Sequence, residues 1–178
     1  TPYACTCPSC TAIGNTEKNA TPAVTELILR LSQRFPRHFF FTTSYLTTQQ
    51  VTDKQLPPNA GVIVSAINFP LRRIDGKDAK EKAFAGQLEQ WKNVTKNIYI
   101  WDYINNFDDY LTPMPILKIA RQRLQFFKQH GASGIFFNGS GYSYSSFDEM
   151  RTFVLSALLI NPELSVDNLT ASFFNQEY

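Results

Sequence analysis

The stretch Gly61-Val-Ile-Val-Ser-Ala-Ile67 is an apolar run, rich in β-branched residues, in which polar and apolar positions do not alternate. Such a run is typical of a strand that is buried on both faces of a parallel sheet. Three other runs share this character, at residues 38–45 (HFFFTTSY), 97–103 (NIYIWDY) and 134–138 (GIFFN). The sequence therefore predicts four buried strands.

Helices are predicted before, between and after these strands. They share apolar residues at helical spacing and lie at about residues 21–35, 77–94, 116–130, 146–161 and 166–175. Ser146-Phe-Asp-Glu149 has the spacing of a capping box at the start of the fourth of them. Because parallel strands need crossover connections, this alternation predicts an α/β fold with a parallel sheet. An open doubly wound sheet and half of an eight-stranded barrel both fit, and in both the function lies at the carboxyl ends of the strands.

Length and composition exclude several classes of function. The chain has 178 residues, which predicts one domain over 1–178, and its 17 Lys and Arg nearly balance 15 Asp and Glu. The densest basic group, Arg121, Arg123 and Lys128, is interpreted as a solvated helix face, so we expect no nucleic-acid ligand. The longest apolar stretches, such as residues 153–160, are too short to span a bilayer, so we expect no membrane span.

All three cysteines lie close together, in Cys5-Thr-Cys7-Pro-Ser-Cys10. A structural zinc site usually has four ligands, and the other candidates, His38 and His130, do not form a pair with ligand spacing. We therefore favour a local disulfide with one spare thiol, or three thiols packing a turn, over a metal site. Thiols that can oxidise also suggest an exported protein.

Side chains suited to a sugar ligand follow the predicted strands. The candidates are aromatic or amide residues at or just beyond the carboxyl ends: Tyr45, Asn68, Trp101, Tyr103, Asn106, Asn138 and Tyr142. Aromatic faces stack on sugar rings, and amides hydrogen-bond hydroxyl groups in fixed directions. A purely structural role is the alternative for two of them, with Trp101 as a core aromatic residue and Asn106 as a turn cap.

Asp102 is the candidate catalytic residue, because it is the acid that directly follows a buried strand. Burying a carboxylate there lowers the stability of the fold, so we expect its position to serve a function. The alternative is a carboxylate that caps a helix or forms a salt bridge. Glycoside hydrolysis usually needs two carboxylates. The second would come from a loop or beyond it, where the acids are Asp108, Asp109, Asp148 and Glu149. No cofactor is expected, since Gly139-Ser-Gly141 lacks the glycine patterns of nucleotide-binding loops.

Four segments together resemble a bacterial family of domains of unknown function. They are Cys5-x-Cys7-x-x-Cys10 before a helix, Ile98-Tyr-Ile-Trp-Asp-Tyr103 followed by Asn106-Phe107, Gly134-Ile-Phe-Phe-Asn-Gly139, and Leu158-Leu-Ile-Asn-Pro162. That family is found in exported carbohydrate-utilisation proteins, and its barrel is similar to those of hexosaminidases and alpha-glucuronidases.

The resemblance implies the C-terminal half of a TIM (β/α)8 barrel, with strands five to eight at about residues 38–44, 61–67, 97–102 and 134–138. It also implies a periplasmic or secreted location. The family pattern carries Glu where Phe137 stands and Trp-Asp where Ile160-Asn161 stands, so this chain lacks an acid beside the pocket. Two hypotheses follow from this departure. One is a glycoside hydrolase that uses Asp102, and the other is a non-catalytic carbohydrate-binding or structural module.

The partner expected in both hypotheses is a carbohydrate ligand. A half barrel would also expose two open strand edges. We therefore expect either a homodimer or pairing with a missing N-terminal half of the barrel. A phosphate ligand at Gly139-Ser-Gly141 is disfavoured, because no Lys or Arg lies in that segment.

Overall fold

A computed structural model describes residues 3–139 and 145–177 of the chain. The described part contains six α-helices and four strands, in the order α1 (Pro8–Ala12), α2 (Thr21–Arg34), β1 (Phe40–Ser44), β2 (Ala60–Ser65), α3 (Ala79–Lys92), β3 (Ile98–Tyr103), α4 (Ile116–Gln129), β4 (Gly134–Asn138), α5 (Asp148–Ile160) and α6 (Val166–Glu177). A short 3₁₀ turn, Leu46–Thr48, follows β1. Among the described helices, none has the length and apolar character needed to cross a membrane.

The four strands form one parallel sheet in the order β1-β2-β3-β4. Each neighbour in the sheet is also the next strand along the chain, as in a barrel wall. The α/β prediction is confirmed, and each predicted strand lies within about two residues of an observed one. The division into a C-terminal half barrel with a missing partner half stays a prediction.

One face of the sheet packs against helices, and we call it the helix face. Its core is formed by alternate residues of β2 and β3 and by one side of α3 and α4, namely Val62, Val64, Ile98, Ile100, Phe84, Leu88, Trp91 and Phe127. Strand residues two apart point to the same face, so the remaining residues of these strands point the other way. Burial in β3 shows this alternation, because Ile98, Ile100 and Asp102 are buried whereas Tyr99 is exposed.

The opposite face, which we call the open face, carries aromatic side chains that remain partly accessible. Tyr99 is 39% exposed, and Phe136 on β4 is 60% exposed. The prediction of strands buried on both faces is therefore wrong for this side of the sheet. The helices that cover the sheet do so on the helix face, and the described residues provide no second layer. The open face therefore leaves aromatic side chains accessible to other molecules.

Gly61 and Gly134, on the open face, leave room for large aromatic rings on the neighbouring strands. Alanine substitutions at these two positions test how much stability depends on this room. A Cβ on Gly61 would collide with the backbone carbonyl of Asn97 and lie 2.6 Å from the Phe41 ring, whereas the three atoms nearest to a Cβ on Gly134 all belong to the Tyr99 ring, the closest at 2.6 Å. We expect Gly61→Ala to lower the free energy of unfolding by about 1–3 kcal/mol, because a backbone group cannot move aside. Gly134→Ala should cost less, since the exposed Tyr99 ring can turn. Urea denaturation of both variants measures the difference, and equal losses would contradict this explanation.

Candidate functional site

A row of aromatic rings crosses the carboxyl ends of the strands on the open face. The ring of Tyr45 lies 5.8 Å from that of Trp101, and Trp101 stacks on Tyr103 with centroids 5.5 Å apart and planes at 22°. Phe107 and Tyr110, in the loop after β3, extend the row through edge contacts of 6.0 and 5.9 Å. Such stacked and edge-on pairs are favourable. We call these five residues the aromatic row.

Hydrogen-bonding groups accompany the aromatic row. The hydroxyl groups of Ser65 and Tyr103 are 3.4 Å apart, so either can donate to the other. The indole nitrogen of Trp101 is buried and has no hydrogen-bond partner among the described residues. Buried donors are usually paired, and an exception often marks a place where a water or a ligand completes the bond.

A cavity of about 210 Å³ lies beside this row, between the carboxyl ends of β1 and β2. Its lining residues are Ser44, Tyr45, Leu46, Gln49, Ser65, Ile67 and Asn68. Leu46 adopts φ 50°, a left-handed conformation that is uncommon outside glycine and is found repeatedly at functional sites. The cavity is smaller than the roughly 300–1,000 Å³ of most ligand pockets, so it would hold only a small part of a ligand.

The structure thus brings together four of the predicted ligand-binding residues, Tyr45, Asn68, Trp101 and Tyr103. Asn138 is near them in the sheet, because it is the β4 partner of Tyr103. The side chain of Asn106 accepts a hydrogen bond from the backbone N–H of Asp108 at 3.1 Å, which is the turn-capping alternative. Tyr142 lies outside the described residues. Ligand binding by any of these residues stays a prediction.

Asp102, the candidate catalytic residue, points away from the aromatic row. Its carboxylate is fully buried on the helix face and forms a two-pronged ion pair with Arg123 of α4. The Nε of Arg123 donates to Oδ2 at 2.8 Å, Nη2 donates to Oδ1, and Oδ1 also accepts from the backbone N–H of Tyr103 at 2.8 Å. A carboxylate engaged in this way does not face a ligand on the open side. The geometry therefore favours the structural alternative, a salt-bridging carboxylate.

Arg123 corrects the interpretation of the basic group on α4 as a solvated face. Its side chain is 1% exposed, and Nη1 donates to the backbone carbonyls of Pro70 at 2.7 Å and Phe69 at 3.3 Å. The prediction holds better for Lys128, which is exposed. The helical spacing of α4 already indicates that Arg123 is buried. Arg123 follows Ala120 by three residues and precedes Phe127 by four, which places it on the apolar side of the helix.

Two of the four acids named in or beyond the loops, Asp109 and Asp148, also have structural partners. Asp109 accepts hydrogen bonds from the hydroxyl of Thr112 and from the backbone N–H of Leu111, and these bonds lower the pKa of Asp109. Asp148 accepts from the hydroxyl of Ser145 at 2.7 Å, at the start of α5. Neither arrangement joins a second carboxylate to Asp102. These two acids are therefore engaged in local contacts of the loop and of the start of α5.

A larger cavity, of about 430 Å³, lies on the helical side, between the starts of α4, α5 and α6. Its walls are mainly apolar, and Lys118 and Asp167 on its rim are paired with each other at 2.8 Å. Arg151, in the same wall, donates to the backbone carbonyl of Ile104 at 2.6 Å. The buried Nε of Arg151 has no hydrogen-bond partner among the described residues, but Lys118 and Asp167 pair with each other and the other walls are mainly apolar. We therefore regard the aromatic row and its cavity as the better candidate site.

The three cysteines are free, and in the part of the chain that the structure describes they are the group of side chains that could hold a metal. Cys5 and Cys7 are exposed, Cys10 is half-buried, and their Sγ atoms all lie within 4.8 Å of one another. The backbone N–H of Cys10 and the neighbouring thiols hydrogen-bond to Cys7 and lower its pKa. The same thiol contacts raise the pKa of Cys10 to about 11, because its hydrogen is shared with the Cys7 sulfur. The structure contains no disulfide among them.

Comparisons with known proteins place the chain in a family without identifying its activity. No curated protein and no solved structure matches it. A family model described as Domain of unknown function (DUF4838) matches residues 2–178, which is nearly the entire sequence. The predicted resemblance to a family of domains of unknown function is therefore confirmed. The chain belongs to the DUF4838 family.

Proposed function

We propose that this domain binds an oligosaccharide along the aromatic row, without the assistance of Asp102 as a catalytic group. The observation that carries the proposal is the row of adjoining rings formed by Tyr45, Trp101 and Tyr103 on a partly accessible sheet face, at the carboxyl ends of parallel strands. Ligands of parallel α/β folds usually bind at that end. Partly exposed aromatic faces flanked by hydroxyl and amide groups suit sugar rings.

The size and polarity of the site support an extended ligand. A single ring would enter the cavity beside Tyr45, where the hydroxyl of Ser65 and the amide of Asn68 can hydrogen-bond its hydroxyl groups. Further rings would lie across Trp101 and Tyr103 toward Phe107. An oligosaccharide ligand also fits the exported location and the carbohydrate-utilisation context that the family resemblance implies, and we include both in the proposal.

Binding is favoured over hydrolysis by the placement of the acids. Hydrolysis would need a general acid and a second carboxylate on either side of the bond. Asp102 is held on the helix face by Arg123, and Phe137, its register partner on β4, packs in the core on the same face. Hydrolysis is the alternative hypothesis. It would be detected by the release of new reducing ends from the oligosaccharide.

Tryptophan fluorescence gives a direct test, because the chain has two tryptophans and Trp91 is 1% exposed in the core. We expect an oligosaccharide from a panel of uronic-acid and hexosamine polymers to change the emission of Trp101 in a saturable way. Trp101→Ala should weaken binding by roughly tenfold or more, corresponding to about 1.4 kcal/mol of lost stacking and contact. The affinity of this variant is measured by calorimetry, since its reporter is gone.

Phe39→Ala is the matched control, because Phe39 is an exposed aromatic residue, 66% accessible, that precedes β1 at the opposite end of the sheet. It should bind the same oligosaccharide as the parent chain. The proposal is wrong if no member of the panel binds, or if Trp101→Ala binds as well as the parent while remaining folded. Pairing of two chains through the free edges of β1 and β4 stays a separate prediction, tested by mass in solution.

A further inference from the structure

The thiol cluster near the start of the chain is the other concentration of reactive side chains in the described residues. Cys5, Cys7 and Cys10 place three sulfur atoms within 4.8 Å of one another at the protein surface. A disulfide uses two sulfurs and leaves the third without a task. Three sulfurs that converge on one point are instead the arrangement expected of thiolate ligands around a single ion.

The backbone around the cluster is held in place by buried contacts, so the three sulfurs are pre-positioned. Asn15 is 4% exposed, and its side chain donates to the carbonyl of Cys5 at 3.1 Å while accepting from the backbone N–H of Ala23 at 3.0 Å. Its own N–H donates to the carbonyl of Cys10 at 3.0 Å, and Thr11 N–H donates to the carbonyl of Cys7 at 2.9 Å. These bonds fasten the cysteine loop to α2, independently of any bound ion.

We propose that Cys5, Cys7 and Cys10 bind one Zn²⁺ or a similar soft metal ion as three thiolates, with the fourth position open to an exogenous ligand. Sulfurs bound at about 2.3 Å around a tetrahedral ion stand roughly 3.8 Å apart. Metal binding therefore draws the three sulfurs together by about 1 Å or less from the separation in the structure. The open position faces solvent and accepts water, a small thiol or a side chain of another molecule.

The binding step is a proton exchange without oxidation or reduction. Three S–H bonds break, their protons pass to the buffer, and three metal–sulfur bonds form. Affinity should therefore rise with pH, because each thiol must lose its proton before it binds.

The test uses the whole chain, reduced with a phosphine and freed of metal under argon. We expect Cd²⁺, added as a spectroscopic substitute, to produce a thiolate-to-metal absorption band that saturates at one ion per chain. Zn²⁺ should remove this band in competition and protect all three thiols from a thiol reagent. Each of Cys5→Ser, Cys7→Ser and Cys10→Ser should weaken the affinity by on the order of 100-fold.

Ser9→Ala is the matched control, because Ser9 is an exposed residue of α1 between Cys7 and Cys10 and offers no sulfur. It should bind Cd²⁺ as the parent does. The melting temperature of each variant without metal checks that the loop substitutions leave the fold intact. The proposal is overturned if the reduced chain, with three reactive thiols, gives no band at one equivalent. It is also overturned if a folded Cys→Ser variant binds with undiminished affinity, or if mass spectrometry shows that two cysteines reoxidise to a disulfide in the presence of excess Zn²⁺.

Discussion

Replacing Asp102 by Ala is expected to lower the free energy of unfolding by about 3–5 kcal/mol, which is typical when one partner of a buried ion pair is removed. Asp102 is completely buried, and Arg123 is 1% exposed. Without the carboxylate, the Nε and Nη2 donors of Arg123 remain in the core without their acceptors. Urea denaturation of the parent and the variant measures the loss.

Two comparisons separate this charge effect from a general loss of packing. Asp108→Ala removes an exposed acid in the loop after β3 and should change the stability by no more than about 0.5 kcal/mol. Replacing both partners, as Asp102→Leu with Arg123→Met, should cost less than the sum of the two single changes, because no unpaired charge is left. If Asp102→Ala keeps the stability of the parent and instead abolishes sugar turnover, the catalytic hypothesis for Asp102 is restored.

The sequence predicts the strands and the helices well because their signals are local. Apolar runs such as Gly61–Ile67 lie close to the observed strands, and helix α4 ends at Gln129, directly before the predicted stop at His130 and Gly131. Helix starts were harder to predict. Helix α5 begins at Asp148 after Phe147 in a left-handed conformation, and its cap is not the predicted capping box. The hydroxyl of Ser145 bonds Asp148 instead, a choice that depends on the path of the preceding loop.

The site was only partly predictable, because the face on which a residue lies depends on strand register. Trp101 and Asp102 are neighbours at the end of one strand, and the sequence pattern predicts the same pocket for both. A strand sends successive side chains to opposite faces, so Trp101 joins the aromatic row while Asp102 meets Arg123. The sequence does not indicate that Phe107 and Tyr110 join the aromatic row, for a different reason. Loop residues join a row of rings only when the loop folds back on the sheet, which composition does not reveal.

Phe69→Ala should be comparably destabilising, and it tests whether the loop after β2 is anchored by an aromatic cluster. The Phe69 ring is 3% exposed, and its centroid lies 5.1, 4.9 and 5.3 Å from those of Phe84, Phe126 and Phe127. The guanidinium carbon of Arg123 lies 4.6 Å from the same ring, as in a cation–π contact. We expect a loss of about 3–5 kcal/mol on truncation to Ala. Phe69→Leu should cost less, because it fills more of the space.

The same anchor should influence sugar binding, although Phe69 faces away from the ligand. Asn68, its neighbour in the chain, lines the cavity beside Tyr45, so a loosened loop would misplace the Asn68 amide. We therefore expect Phe69→Leu to bind the oligosaccharide more weakly than the parent at a temperature where both are folded. Phe39→Ala, which removes an exposed ring elsewhere, should not.

Combining Phe69→Ala with Asp102→Ala provides the sharpest test of this arrangement, because both changes act on Arg123. Loss of the Phe69 ring opens space in which water can hydrate the guanidinium that Asp102→Ala leaves unpaired. The double variant should therefore lose less stability than the sum of the two single losses, as is common for residues that share a partner. Chemical denaturation of the four proteins in this cycle gives the coupling. Strict additivity would mean that Phe69 and Asp102 stabilise the fold separately and that Arg123 does not link the carboxyl end of β3 to the loop after β2.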